Sequence, residues 1–370
     1  MHIALLGTRG VPAHYSGFET CAEQLGQRLV ERGHSVTVYC RTHATTYLSN
    51  EYKGMRLVKL PTLQNKYLET FLHTAISTFH ALSQGYDIGL YFIAGNSPFT
   101  WIPRIVGTKT ILNVDGLDWK RDKWPALAKR YLQFAEFLAT KLPNCFVTDS
   151  RVVQDYYRER YGADSSYIAY GSDVEPVPPG KTLEKFGLQA HKYLLFVGRL
   201  VPENRAHHLV RAFRQLDTDL KLAIVGDSTY SPEYVSMLKQ ECSADERVVM
   251  TGYVFGSGYQ ELDSNALLFV ETSAVGGTHP ALVEAMAFGN CCVVNDTMEN
   301  LETIGDAGIS YDGSAGEEDL RKRLDGLLNH PELVAALAEK ARQRAREVYG
   351  WDPVTDAYET LFKKLLGHAD

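Results

Sequence analysis

The 370-residue sequence has no apolar run that reads as a membrane-crossing helix: the best candidate, residues 88–103, is broken by Gly95, Asn96, Pro98 and Pro103. The opening Met1-His2-Ile3-Ala4-Leu5-Leu6-Gly7 is too short for the hydrophobic segment of a secretory leader and reaches a glycine at once. Basic excess is missing too. With 38 Lys and Arg against 45 Asp and Glu, the formal net charge is −7, which argues against the diffuse cationic surface that displaces counterions from DNA or RNA, so no nucleic-acid partner is expected. Cysteine is sparse: the six residues Cys21, Cys40, Cys145, Cys242, Cys291 and Cys292 show no metal-type pairing. Cys291 and Cys292 lie in an apolar run that reads as a buried strand, so reduced core thiols in a cytoplasmic protein are expected, with no metal site.

A 45% hydrophobic, 22% charged composition gives no reason to expect disorder, and the length suits two α/β domains better than one core. Charge is shared unevenly. Residues 1–173 hold 19 Lys/Arg against 15 Asp/Glu and the remainder 19 against 30, net +4 and −11, so the first half is the better candidate to meet an anionic acceptor or surface.

Strand-like runs alternate with amphipathic stretches through almost the whole chain, the pattern of parallel sheets with crossover helices. In the first half strands are expected at 2–6, 35–40, 56–59, 88–93, 110–114 and 145–148, with helices at 17–32, 66–83, 125–142 and 151–161. Pro176, Pro178 and Pro179 then forbid regular structure and mark a linker, placing a first domain at 1–173 and a second at 174–350. The second half restarts with strands at 193–197, 221–225, 248–251, 267–270 and 291–295, separated by helices near 206–216, 232–242 and 280–288. Three successive helices, 317–329, 331–348 and 351–366, close the chain with no strand between them, so they pack outside a lobe or bridge two lobes.

Three stretches carry candidate chemistry. The first strand runs into Gly7-Thr8-Arg9-Gly10-Val11-Pro12, and Ser16-Gly17-Phe18-Glu19 then opens a helix whose free N–H groups suit an anion. The spacing is not that of a dinucleotide fingerprint, and the second strand ends Tyr39-Cys40-Arg41 where a ribose-binding acid would stand, which disfavours a dehydrogenase. A tight turn without a ligand remains the alternative. Val197-Gly198-Arg199 delivers a guanidinium at a strand's C-terminal edge, where open α/β sheets bind ligands, although Arg199 equally suits an ordinary salt bridge. Gly276-Gly277-Thr278-His279-Pro280 forms a backbone nest ahead of a helix, and Glu284 sits one turn further in, where a buried acid needs donors such as a ribose diol. A solvent-facing Glu284 is the plainer reading.

The segments Val197-Gly198-Arg199-Leu200-Val201-Pro202-Glu203 and Leu282-Val283-Glu284-Ala285-Met286-Ala287-Phe288-Gly289 resemble the C-terminal signature of family-4 retaining glycosyltransferases of GT-B fold. The stretch from Gly7 to Thr20, with Val114-Asp115-Gly116-Leu117-Asp118-Trp119, resembles a narrower branch that includes bacterial rhamnosyltransferases of cell-envelope polysaccharide synthesis. The resemblance implies two Rossmann-like lobes around a cleft, with the last helix, 351–370, crossing back to the N-terminal lobe. It implies a hexose, L-rhamnose from dTDP-rhamnose in that branch, passed from a nucleotide diphosphate sugar to a saccharide acceptor, lipid-linked through pyrophosphate, without a metal or other cofactor.

By that resemblance Arg199 contacts the donor diphosphate beside Gly198, Glu284 the ribose, and the backbone of Gly277, Thr278 and His279 the sugar or distal phosphate. Gly10, Gly17, Glu19 and Asp115 serve the sugar or acceptor from the N-terminal lobe. Two positions depart from the pattern: the usual basic residue after the Arg falls at Asn204, so Arg205 is expected to substitute, and the acid normally eight residues before Glu284 is Gly276. Asp115 also suits a turn or cap, and Asp149 and Ser150 read as a helix cap.

Lys120, Arg121, Lys123, Trp124, Lys129, Arg130 and Tyr131 form a basic, aromatic stretch, while Leu68, Leu72, Ala75, Phe79 and Leu82 form an apolar stripe. The stripe reads first as a core face. With the basic stretch beside it, it would also suit a lipid-pyrophosphate acceptor and peripheral contact at the inner face of a membrane. Two other readings stay open: a nucleotide-sugar epimerase of the same architecture, and a nucleotide-sugar sensor without activity.

Overall fold

The computed structural model describes residues 1–13, 17–45, 47–65, 68–114, 116–120 and 124–367, which form two compact units, Met1–Gly171 with Trp351–Asp370 and Ser172–Gly350. The first unit holds strands β1 (His2–Leu6), β2 (Ser35–Arg41), β3 (Glu51–Tyr52), β4 (Met55–Leu60), β5 (Ile88–Phe92), β6 (Lys109–Asn113), β7 (Cys145–Thr148) and β8 (Ser166–Tyr167) in the order β3-β4-β2-β1-β5-β6-β7-β8. All pairings are parallel except the β3–β4 hairpin. Its helices are α1 (Gly17–Glu31), α2 (Glu69–Ala81), α3 (Ala126–Ala139) and α4 (Arg151–Tyr161).

The second unit holds helices α5 (Lys181–Phe186), α6 (Ala206–Arg214), α7 (Pro232–Cys242), α8 (Ser257–Ser264), α9 (Pro280–Phe288), α10 (Met298–Ile304), α11 (Glu317–Leu328) and α12 (Pro331–Tyr349). Its all-parallel sheet contains β9 (Tyr193–Val197), β10 (Lys221–Val225), β11 (Val248–Gly252), β12 (Leu268–Glu271), β13 (Cys291–Asn295) and β14 (Gly308–Tyr311) in the order β11-β10-β9-β12-β13-β14. Both are Rossmann-like parallel sheets. Central strands such as β9 and β13 are covered on both faces, which is why they read as unbroken apolar runs.

The last helix, α13 (Trp351–Leu366), belongs to the first unit. Its apolar positions Trp351, Val354, Tyr358 and Phe362 recur at helical spacing and are all buried in the core beside Leu25, Leu29 and Val147. Full burial of side chains this size contributes about 2–3 kcal/mol each before entropy is counted. The Asn113 amide donates to the Tyr358 hydroxyl at 2.9 Å, and Arg32 pairs with Asp356 at 2.6 Å and Glu359 at 3.0 Å. Arg32, Lys363 and His34 together outweigh the burial that would raise the Glu359 carboxyl and hold it at about 2.

One expectation holds only in part. α2 buries His73, Thr74, Ser77, Thr78 and Ala81, while of the apolar stripe Leu68 and Phe79 are exposed, Leu72 and Leu82 are half-buried and Ala75 packs against the core; Ile76, outside the stripe, is exposed as well. The polar face can go inward because the sheet offers partners: a His73 ring nitrogen bonds the Cys40 carbonyl at 3.1 Å, and the Thr78 hydroxyl meets that of Tyr91 at 3.0 Å. Burial lowers His73 to about 4 and keeps it neutral, so Nε2 is the donor to Cys40.

Candidate functional site

Among the parallel strands of each sheet the order reverses once, and ligands of open α/β folds gather beyond the C-terminal ends of the strands at such a reversal. In the second unit the reversal lies between β9 and β12, which pair through Leu268 and Leu194. Arg199 leaves the end of β9, and the chain through Glu271 to His279 leaves the end of β12. The two segments are tied together: Ala274 N–H donates to the Glu203 carbonyl at 2.9 Å, and the Thr272 hydroxyl donates to the Asn204 carbonyl at 2.5 Å.

Asn204, where a basic residue was expected, is buried and donates its side-chain amide to the Arg199 carbonyl at 2.9 Å, closing the turn that carries Arg199. Arg205 takes a left-handed backbone, φ 50°, and its Nη1 donates to the Gly313 carbonyl at 3.0 Å. The Gly198 amide bonds the Val225 carbonyl at 3.0 Å, fixing the strand end.

At the other flank Gly277 and Thr278 are buried, and His279 is the N-cap of α9 with extended backbone and no side-chain capping bond. Pro280 occupies the first helical turn, where its missing N–H costs nothing. A side chain at Gly276 would meet the His279 imidazole, so an acid there requires that ring to move. The carboxylate present is Glu271, at the end of β12, buried, bonded by the Ser273 amide at 2.9 Å and 3.9 Å from Nδ1 of His279. Sequence reasoning passed over it, although a strand that ends on an acid inside such a reversal was a usable signal.

Glu284 is half-buried on α9 and accepts the Tyr259 hydroxyl of α8 at 2.6 Å. The same hydroxyl lies 3.1 Å from Oδ2 of Asp263, whose Oδ1 accepts the Asn290 amide at 2.8 Å. A phenol has one proton, so two ionised carboxylates cannot both receive it. Asp263 is fully buried, and burial with the nearby Glu284 pushes it well above the carboxylate range; burial also raises Glu284, opposed by the Tyr259 bond. Burial beside Glu284 favours the neutral form of Asp263, and in that form it donates to Tyr259, which donates to Glu284.

In the first unit the order reverses between β1 and β5. Gly10 follows β1 with φ 108°, and a Cβ there would strike Cys40, so only glycine lets the loop pass the end of β2. Ile93, after β5, has φ 75°, a costly conformation for a β-branched residue and one that concentrates at ligand sites. Gly17 opens α1, and Glu19 in its first turn is buried and accepts the Arg9 amide at 2.8 Å, tying loop to helix. Asp115 and residues 14–16 lie outside the described residues.

Arg41 ends β2 almost fully buried, 3.2 Å from Glu69 Oε1 and donating to the Thr70 hydroxyl at 2.8 Å. His43 bonds the same Glu69 oxygen at 2.6 Å, and Arg9 lies 4.0 Å from the other. Burial pulls Arg41 down and would raise Glu69, but Arg41, His43 and Arg9 overcome it and leave Glu69 below its ordinary value.

Among the described residues no group of three His, Cys, Asp or Glu is placed to hold a metal, and no helix is long and apolar enough to cross a membrane. A cavity of about 550 Å³ in the second unit, lined by His191, Leu267, Asn290 and Arg342, lies at the opposite, N-terminal ends of the strands.

Residues 182–344 match the family Glycosyl transferases group 1, and residues 1–173 match a domain of unknown function, DUF1972. The Campylobacter jejuni enzyme N-acetylgalactosamine-N,N'-diacetylbacillosaminyl-diphospho-undecaprenol 4-alpha-N-acetylgalactosaminyltransferase is 26% identical over 325 residues, covering 85% of this chain and 82% of that one. Among solved structures, sucrose-phosphate synthase from Thermosynechococcus elongatus superposes with a TM-score of 0.84 at 19% identity, covering all of both chains. Anabaena HepE in complex with UDP-glucose superposes at 0.80 with 17% identity, covering 98% of this chain and 99% of that one. The fold is thus that of these two-lobed GT-B proteins.

Proposed function

We propose that the chain, whose residues 182–344 match the family Glycosyl transferases group 1, is a glycosyltransferase that takes a hexose from a nucleotide diphosphate sugar held by its second unit. The observation that carries the donor site is the convergence of Arg199 and the Gly276–His279 nest on the β9/β12 reversal, with Glu284 one turn behind. Arg199 binds the diphosphate beside Gly198, Glu284 the ribose, and the Gly277, Thr278 and His279 backbone the sugar or distal phosphate. Arg205 adds a second cation from the neighbouring turn.

In the proposed reaction an acceptor hydroxyl attacks the anomeric carbon as its bond to the diphosphate oxygen breaks. The charge left on that oxygen is met by Arg199, Arg205 and the nest amides without a metal ion, and the departing phosphate takes the hydroxyl proton. The resemblance to family-4 enzymes supports retention of anomeric configuration. Gly10, Gly17, Glu19 and Asp115 are assigned to the sugar and acceptor.

A saccharide on a lipid diphosphate is the proposed acceptor, supported by the diphospho-undecaprenol named for the Campylobacter relative. The N-terminal motifs support L-rhamnose as the sugar, and the UDP-glucose bound by HepE makes a uridine sugar the first alternative to try. Calorimetric titration with dTDP-rhamnose, UDP-sugars and the free diphosphates, followed by radiolabel transfer to a lipid-linked saccharide, tests this. Tight binding that Arg199→Ala abolishes, with label in the lipid fraction, is expected; wild-type protein that binds none of them overturns it.

A further inference from the structure

The first unit presents an apolar surface that its own core does not use. α2 turns Leu68, Ile76 and Phe79 to solvent while burying His73, Thr74, Ser77 and Thr78, the reverse of a water-facing helix. α3 does the same at helical spacing: Leu127, Tyr131, Phe134 and Phe137 are exposed, Leu127 at 80%. Between them a 3-10 turn at Pro103–Val106 exposes Ile105, at 71%, and Val106, next to exposed Trp101.

These segments form one surface. Phe71 of α2 packs against Tyr131 of α3 with ring centroids 6.0 Å apart and against Phe99 at 4.6 Å. The Ser97 hydroxyl donates to the Ala135 carbonyl at 2.7 Å, and the Arg104 guanidinium to the Leu142 carbonyl at 2.6 Å. Its exposed charges are positive, with half-buried Asp118 of the adjoining 118–120 turn as a nearby acid. Among the described residues of α2, 101–106 and α3, the only carboxylates are Glu136, which is buried, and Glu69, which is engaged by Arg41 and His43; Arg104, Arg130 and neighbouring Lys141 are exposed.

We infer that the outer faces of α2, α3 and the 101–106 turn dock the protein on an anionic phospholipid bilayer. The apolar side chains enter the headgroup boundary, and Arg104, Arg130 and Lys141 meet lipid phosphates at its rim. A second protein with so cationic a rim, including another copy of this surface, would meet like charge; a bilayer bearing anionic lipid would not. The inference deepens the reading of a lipid-linked acceptor and rests on it for its purpose, though not for its geometry.

Flotation of the full chain with phosphatidylcholine vesicles, with and without phosphatidylglycerol, tests it. Wild-type protein should float with the anionic vesicles, less with the neutral ones, and be released by salt. The combined variant Ile76→Ser, Phe79→Ser, Phe134→Ser should lose about tenfold or more in partitioning, and Arg130→Glu with Lys141→Glu should lose the preference for phosphatidylglycerol. Trp101 fluorescence should shift to the blue on vesicle addition and lose that component in Trp101→Phe.

All changed side chains are exposed, so circular dichroism should match the wild type. Equal flotation of the serine variant, or none by the wild type, overturns the docking surface. So does a lipid-free dimer that the serine changes dissociate, which would put a second copy on this face. Donor titrations on the same samples separate the two readings: absent flotation with donor binding intact overturns docking alone.

Discussion

Tyr259 and Glu284 share a 2.6 Å hydrogen bond, and the same hydroxyl lies 3.1 Å from Asp263, whose burial beside Glu284 favours a neutral acid that donates to the phenol. Asn in place of Asp263 also offers a donor to Tyr259 and an acceptor to Asn290. Asp263→Asn is therefore expected to keep donor affinity within about twofold, while Tyr259→Phe weakens it by about tenfold, the equivalent of one hydrogen bond to a charged group. Calorimetry of both variants checks this, and an Asp263→Asn protein as impaired as Tyr259→Phe would show that Asp263 is ionised.

The collision between a residue at 276 and His279 predicts that Gly276→Asp, which installs the acid of related sequences, lowers donor affinity by about tenfold rather than improving it. The double variant Gly276→Asp, His279→Ala vacates the space and should recover part of the loss. No recovery in the titration would mean that the contact with His279 is not what disfavours an acid at this position.

Glu69 is the carboxylate that pairs buried Arg41, so Glu69→Gln should destabilise the protein by about 3 kcal/mol. Urea denaturation followed by fluorescence reads this directly. A change below about 1 kcal/mol would mean that Thr70 and solvent suffice for the guanidinium.

Glu136, buried on α3 and bonded by the hydroxyls of Tyr156 and Tyr161 at 3.0 Å, is raised by burial from 4.5 to about 7. The folded protein therefore holds a proton that the unfolded chain releases. The stability linked to it is fully present below about 4.5 and declines as pH rises to about 7. Glu136→Gln keeps the acceptor and removes the titration, so its stability should vary less across that interval. Denaturation midpoints at pH 5 and pH 8 for both proteins make the comparison.

Much of the sheet framework was legible because buried parallel strands are apolar on both faces: β1, β9, β10 and β13 fall where their runs begin and end. β3 and β8, two residues each, are too short to carry a period, and β14 opens on Gly308 with Ser310 inside. Arg199 and the 276–279 turn could be located because they follow strands. Tyr259 and Asp263 could not, since α8 has a single aliphatic residue, Leu262, and nothing in its composition betrays a buried acid. The stripe on α2 was visible, but periodicity reports that a helix has an apolar side and is silent about the medium that side faces.

Because α13 fills the core of the first unit, that unit is assembled from both ends of the described chain, with the whole of Ser172–Gly350 in between. During synthesis, then, residues 1–171 emerge without the segment that completes their core, and the second unit can mature first. A nascent chain paused before Trp351 would carry an open apolar seat around Leu25 and Leu29, a natural target for chaperones until Tyr358 and Phe362 arrive.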